Sequence, residues 1–350
     1  MRSGTELEPR AIKPWSAPHH PHKVLAIRLH ALGDTVITLP YLRSLRDHLP
    51  NVQLDFLTRK EVASIPQHVD LFDHVFLIGG RRNFTLQLLS TFLLLPRLMR
   101  QRYDVVIDLQ RNKLSRLVRR VLRPAGYSEF DRLSPIAAGE RTRLTIEAAG
   151  LGPVGLKAQL TLKDPALGRD ILHRHGWKTD SALVVLNPAG FFVTRHWPIE
   201  HYVEFARLWL THYNPHTQFL LLGTDQIAVR AHVLLAALGE HVINLVGKTS
   251  AAEAFAVLQN VDLMLTEDSG LMHMAWVSGR PTVALFGSTR SDWARPLGEH
   301  AICLDSADLP CGNCMQATCQ FGDVHCLTRY APSFVFAQAR SLLERLRQRA

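Results

Sequence analysis

The sequence predicts an α/β protein of two doubly wound domains in tandem. Three observations carry this expectation. Short β-branched runs alternate with longer stretches of helical spacing, the pattern of parallel βαβ units. The alternation fades between Gly139 and Gly176 and then restarts. The 350 residues, at roughly 150 per domain, suit two separate hydrophobic cores.

Residues 1–22 contain four prolines and three histidines and no periodic apolar pattern, so they read as a disordered tail. Strands then follow at VLAIRL (Val24 to Leu29), VQLDFL (Val52 to Leu57), HVFLI (His74 to Ile78) and YDVVIDL (Tyr103 to Leu109). Helical spacing after the first of them runs through Val36, Leu39, Leu42 and Leu45. After the LKAQLTL run the second series is ALVVLNP, QFLLLG, HVINLVG, DLMLTE and PTVALFG. Phe336, Ala339, Leu342, Leu343 and Leu346 then give an amphipathic terminal helix. The expected layout is a tail at 1–22, a first domain at 23–165, a second at 166–331 and a helix at 332–350. Two such domains leave a cleft between the carboxyl ends of their sheets, where ligands of this architecture bind.

The composition, 47% hydrophobic and 20% charged, is that of a globular protein and excludes a disordered or collagen-like chain. Forty Lys plus Arg against 31 Asp plus Glu give a net charge of +9, which predicts an anionic partner. The most apolar stretch, Phe84 to Leu95, is interrupted by Thr85, Gln87, Ser90 and Thr91 and stops at Pro96. It falls short of the ~20 residues that span a bilayer. Residues 1–22 lack the apolar run of a secretory signal, so the expected location is cytosolic, with reduced cysteines.

Three loops can carry chemistry. In LHALGDTVITLP, Gly33 and Asp34 fall at a strand-to-helix turn, where the carboxylate either projects towards a ligand or caps the helix. There is no G-x-G-x-x-G, which weakens a dinucleotide reading. In NPAGFFVTRHWP, Gly190 frees the backbone, Thr194 can donate and Arg195 offers a cation for phosphate, or serves only as a solvated charge. In TEDSGLMHMA, Asp268, Ser269 and Gly270 fall at a helix N-terminus suited to anions, with His273 one turn in; the plainer alternative is capping with a packed histidine.

Residues 111–123 hold six basic side chains and no acidic one, and Arg116, Arg119, Arg120 and Arg123 share one helix face. Such a face is either solvated or turned towards an anionic partner. Cys311, Cys314, Cys319 and Cys326 are spaced C-x2-C-x4-C-x6-C, open to a structural zinc or iron or to reduced structural thiols.

Together these segments resemble the ADP-heptose:lipopolysaccharide heptosyltransferases of glycosyltransferase family 9. The elements that carry the resemblance are IRLHALGDTVITLP, NPAG with RHWPIEHY, LLLGTDQ, INLVGKTSAAE and TEDSGLMHMAWVSGRPTVALFGST, in that order from Lys23 to the terminal helix. The resemblance implies a GT-B fold, two Rossmann-like domains facing a central cleft, and transfer of heptose from ADP-heptose to the lipopolysaccharide inner core with inversion. It implies no catalytic metal. By position, Asp34 matches the general base. The donor set is Gly33, Gly190, Thr194, Arg195, Gly223, Thr224, Asp268, Ser269, Gly270 and His273, with arginine where the family usually has lysine at position 195. The acceptor set is Arg111, Arg116, Arg119, Arg120 and Arg123, in the domain that binds acceptor in this family. The implied place of work is the cytosolic face of the inner membrane, with peripheral contact. A related transferase using another sugar nucleotide or a protein acceptor is the alternative within the class. A basic nucleic-acid-binding protein is the alternative outside it, but no binding module is present and no nucleic-acid partner is expected.

Overall fold

The computed structural model describes residues 10–349, which form two compact units, one ending at Lys157 and the other beginning at Ala158. This division lies ahead of the 165/166 boundary read from the sequence. Lys157 still pairs with Asp47 of the first unit, whereas the Ala158 carbonyl packs where a Cβ on Gly279 of the second would sit, at 2.7 Å. The LKAQLTL run joins neither sheet.

The first unit holds strands β1 (Lys23–Ile27), β2 (Gln53–Arg59), β3 (Val75–Ile78), β4 (Val105–Asp108) and β5 (Gly126–Glu129). They form a parallel sheet in the order β3-β2-β1-β4-β5. Val24, Leu25, Ala26 and Ile27 are fully buried, as expected of a strand covered on both faces. β5 went unread because its sequence, GYSE, is polar; Glu129 is buried under arginines rather than solvated.

Residues 10–22 correct the expected tail. The Lys13 N–H donates to the Tyr127 carbonyl at 2.8 Å, the Tyr127 N–H donates back at 2.7 Å, and the Trp15 N–H reaches the Ala149 carbonyl at 2.8 Å. Gly150, at φ +78°, permits this approach, since a Cβ there would come within 2.7 Å of the Trp15 nitrogen. Prolines favour an extended path, and this path is ordered by pairing. Residues 1–9 of the expected tail lie outside the described residues.

The second unit holds β6 (Ala182–Asn187), β7 (Thr217–Leu221), β8 (Val242–Asn244), β9 (Leu263–Glu267), β10 (Thr282–Leu285) and β11 (Ala301–Leu304). All run parallel in the order β11-β10-β9-β6-β7-β8. The final helix, Pro332–Arg347, starts with proline at its first turn and buries Val335, Ala339, Leu342 and Leu343 in the same core as Phe205 and Trp209 of helix Ile199–His212. β11 was not anticipated either: its four residues are all only partly buried.

In each sheet the strand order reverses once, between β1 and β4 and between β6 and β9. Loops leaving the carboxyl ends of such a pair diverge and open a crevice. All three loops singled out in the sequence leave β1, β6 or β9. No helix among the described residues is long and apolar enough to cross a membrane.

Candidate active site

In the first unit Asp34 occupies the first turn of helix Leu32–His48, with Gly33 beside it in the same turn. Its Oδ2 accepts the Ala31 N–H at 3.2 Å and meets Arg28 Nη2 at 2.7 Å, while 42% of the side chain stays exposed. Capping and accessibility therefore coexist in one carboxylate. Arg28 is buried, donates its other terminal nitrogen to the Leu109 carbonyl and lies 5.2 Å over the Phe130 ring. Gln110 Oε1 accepts the N–H groups of Leu29 and His30 at 3.0 and 3.1 Å. The loop after β4 thus carries the loop after β1. Burial, with the charges of Arg59 and Arg28, pushes the His30 imidazole below its ordinary range, so it is neutral at pH 7 beside Asp34.

Asp108 ends β4 and anchors this assembly. It accepts the Gln110 and Arg111 N–H groups at 3.0 and 2.8 Å and the Ser115 hydroxyl at 2.8 Å. Full burial pushes its carboxyl up from 3.8 to about 6, and the hydrogen bonds offset that only in part. A folded state that holds the proton more tightly than the unfolded chain loses stability as pH rises, here from about 4 to about 6. Asp108→Asn removes that loss, which amounts to at most about 3 kcal/mol at neutral pH. The melting temperature of the variant relative to the parent should climb between pH 4 and pH 7. A flat difference would show that Asp108 stays ionised in the folded state.

The basic helix corrects the sequence reading. Arg111, Arg116 and Arg119 were expected to face an acceptor without compensating charge, but Glu129 at the end of β5 engages all three. Arg116 Nη2 lies 2.9 Å from Glu129 Oε2, Arg119 Nη2 lies 2.8 Å from Oε1, and Arg111 Nε lies 3.7 Å from Oε2. Burial works to raise the Glu129 carboxyl; hydrogen bonds from Arg116 and the Ala11 N–H, with the charges of Arg116 and Arg119, outweigh it and hold the carboxyl below its ordinary range. Arg119 also lies 4.4 Å over the Tyr127 ring. Arg120 and Arg123 alone of the five remain exposed.

In the second unit the loops after β6 and β9 interlock. Asn187 Nδ2 donates to the hydroxyls of Thr266 and Ser269 at 2.8 and 2.7 Å. Glu267, fully buried, accepts the N–H groups of Gly190 and Trp197 at 2.7 and 2.8 Å and two hydrogen bonds from Arg230, both at 2.9 Å. Gly190 has no room for a side chain, since a Cβ would fall 2.5 Å from the Arg195 carbonyl oxygen. Arg195 Nη1 meets Asp268 Oδ2 at 3.1 Å, so these two expected donor residues do come together. Thr194 does not join them. Its buried hydroxyl is within 2.9 Å of Ser288 Oγ and donates to the Gln316 carbonyl at 2.6 Å, which makes it a strut of the loop.

Ser269 caps helix Gly270–Val277 by accepting the Met272 N–H at 3.2 Å, and a Cβ on Gly270 would meet open space. His273 Nδ1 accepts the Trp276 indole N–H at 3.2 Å; in the neutral ring the proton then resides on Nε2, which makes that nitrogen a donor. Gly223, at φ +152°, turns the chain after β7, and a Cβ there would lie 4.0 Å from Leu271 Cδ1, which brings this loop and exposed Thr224 next to the same helix.

Of the two readings left open for the cysteines, the structural metal finds no support. Cys311, Cys314, Cys319 and Cys326 are free thiols, and among the described residues no three metal-ligating side chains are assembled to hold an ion. Burial, with neighbouring Cys319, Cys314 and Cys311, pushes the Cys326 thiol up to about 11, so it is protonated at pH 7. The segment buttresses the loop after β6: the Met315 N–H donates to the Ser288 carbonyl at 2.8 Å, next to the Thr194–Gln316 bond.

Arg28, Gln110, Asp108, Asn187, Glu267 and Arg230 were missed as organisers of these sites. Each lies in or beside a segment that drew attention; Gln110, Asn187, Glu267 and Arg230 have partners far away in sequence, as with Leu29 and Gln110, which no local pattern reports, whereas Asp108 binds its own loop, at Gln110, Arg111 and Ser115.

The chain matches known proteins in sequence and in fold. Residues 139–325 match Glycosyltransferase family 9 (heptosyltransferase). Lipopolysaccharide heptosyltransferase 1 of Pseudomonas aeruginosa is 27% identical over 92% of this chain and 98% of its own length. Its namesake in Salmonella typhimurium is 26% identical over 87% and 100%. Among solved structures, a family 9 glycosyltransferase from Veillonella parvula superposes with a TM-score of 0.73 at 19% identity, covering 93% of this chain and 97% of that one. ADP-heptose lps heptosyltransferase II of E. coli gives 0.70 at 20% identity, covering 94% and 100%. The two parallel-sheet units are thus those of the GT-B fold, and the chain belongs to glycosyltransferase family 9, the heptosyltransferases.

Proposed function

We propose that this glycosyltransferase moves a heptose from ADP-heptose to the lipopolysaccharide inner core, with inversion at the anomeric carbon. The observation that carries this reading is the clustering of an accessible, tethered Asp34 at the strand-order reversal of the first sheet. A cation and a helix N-terminus stand at the equivalent place in the second sheet. Asp34 takes the proton from the acceptor hydroxyl as its oxygen attacks the anomeric carbon, and Arg28 fixes the direction of the carboxylate. Displacement leaves ADP, whose growing charge Arg195, the Gly270 helix terminus and the Nε2–H of His273 stabilise. Asp268 holds Arg195 in place until phosphate arrives, and Gly190, Gly223, Thr224 and Ser269 shape the nucleotide loops. These fixed donors serve in place of a catalytic metal.

In this reading Arg120 and Arg123 draw in the anionic acceptor, and the enzyme works peripherally at the cytosolic face of the inner membrane. The names of the relatives, among them an E. coli heptosyltransferase structure with ADP-2-deoxy-2-fluoro heptose, support the donor and the acceptor. The test is turnover: heptose added to a heptose-deficient lipopolysaccharide core, with ADP released in step. ADP release without sugar on the core would overturn the acceptor. Arg195→Ala should weaken ADP binding about tenfold or more, the scale of one charge-assisted contact to phosphate. Arg195→Lys should stay within a few-fold of the parent, since it keeps the charge and loses only the fork. If both variants bind ADP as the parent does in calorimetry, Arg195 is a bystander.

A further inference from the structure

Helix Phe84–Gln101 is apolar on both sides, yet only one side is covered. Thr91, Leu95 and Leu98 are buried, and Leu95 and Leu98 join the core of the first unit. On the other side Leu86 is 52% exposed, Leu89 56%, Phe92 52% and Leu93 77%. These fall at i, i+3, i+6 and i+7, a continuous stripe facing outward. A helix of a soluble domain ordinarily turns polar residues outward. Between Leu86 and Leu93 this one exposes no polar residue, since Gln87 and Ser90 are half-buried and Thr91 is buried.

The charge around the stripe is of one sign. Between Asp73 and Asp104 the chain holds five arginines, Arg81, Arg82, Arg97, Arg100 and Arg102, and no acidic residue. They stand at the two ends of the helix and are all exposed. Past its C-terminus, Met99 and Arg102 line a hollow with Arg123, which caps the neighbouring helix Lys113–Leu122; the carboxylate there, Asp104, is taken up by the backbone N–H groups of His22 and Lys23.

We propose that this helix lies flat in an anionic lipid surface, its Leu86–Leu93 stripe among the acyl chains and its arginines on the headgroup phosphates. The helix cannot cross a bilayer, but an apolar stripe with cationic ends is the pattern of an interfacial helix. A second copy of the chain fits less well, because antiparallel pairing of two such helices sets arginine ends against arginine ends with no carboxylate between them. Anionic headgroups supply the missing negative charge. The inference deepens the membrane-face reading above and is independent of the transfer chemistry.

The test is flotation of the full chain with vesicles of phosphatidylcholine alone or mixed with phosphatidylglycerol, alongside turnover on a water-soluble core fragment. The parent should float with the anionic vesicles, less so as salt rises, and not with the neutral ones. Leu89→Gln/Phe92→Gln/Leu93→Gln should lower the partition about tenfold or more, because three side chains lose their burial. Arg82→Gln/Arg100→Gln should lower it several-fold and flatten the salt dependence. Both variants should keep the parent's turnover on the soluble fragment and its melting temperature. The proposal is overturned if the parent ignores anionic vesicles or if the apolar variant floats as the parent does. It is also overturned if the parent forms a dimer that those substitutions abolish while vesicle binding stays absent. A parent that floats but transfers no heptose leaves this surface standing and removes the transfer reading instead.

Discussion

Asp34→Asn should retain ADP affinity and lose about a hundredfold or more in turnover. The amide cannot take the proton of the acceptor hydroxyl, so the attacking oxygen stays a poor nucleophile. ADP affinity should hold because every residue proposed to touch phosphate belongs to the second unit, on other loops. The substitution also removes the charge opposite Arg28, which stays anchored by the Leu109 carbonyl and the Phe130 ring. For that reason turnover is to be read beside the melting temperature. A folded variant with near-normal single-turnover rates would remove Asp34 from the role of base.

Glu267→Ala should be the most destabilising single change at the second site. Four donors converge on this carboxylate: two backbone N–H groups that set the loop after β6 and both terminal nitrogens of Arg230. Deleting it removes the counter-charge of a guanidinium whose side chain is only 17% exposed and leaves it the Pro188 and Trp197 carbonyls alone. Breaking a buried pair from one side costs about 3–5 kcal/mol. ADP affinity should fall as well, because Gly190 and Arg195 lose the tether that fixes their loop. Thermal unfolding and calorimetry on one preparation separate the two effects. A melting temperature unchanged from the parent would mean that the loop holds itself without Glu267. Glu267→Gln should fall in between, since it keeps one acceptor oxygen for the backbone but cannot serve Arg230 on both sides.

What could be read in advance follows from how far each signal extends along the chain. Buried parallel strands such as VLAI and LVVL announce themselves as apolar runs, and their alternation with helices set the fold class. The loops after β1, β6 and β9 were legible because each carries a glycine and a charged side chain just past such a run. β5 was not, since GYSE becomes a buried strand only once Arg116 and Arg119 neutralise Glu129. The same pairing defeated the basic-helix reading: a carboxylate ten or more residues away cancels charges that look unopposed in the linear pattern. Thr194 failed for a related reason, as its hydroxyl is consumed by Gln316, more than a hundred positions further on.

The residues that looked like a dispensable tail have a consequence for how the protein behaves in a crowded solution. β5 is the last strand of its sheet, and such an edge offers unpaired N–H and carbonyl groups to any extended chain that drifts past. Here Lys13 takes up the N–H and the carbonyl of Tyr127, and Trp15 occupies the Ala149 carbonyl close by. Arg10 and the Ala11 N–H add hydrogen bonds to the Glu129 carbonyl and carboxylate, where the strand ends. The segment breaks off after that short contact and is punctuated by Pro14, Pro18 and Pro21, so it cannot itself become a template for the next strand. Residues 10–15 thus act as a cover that keeps the β5 edge of the first sheet from recruiting neighbours.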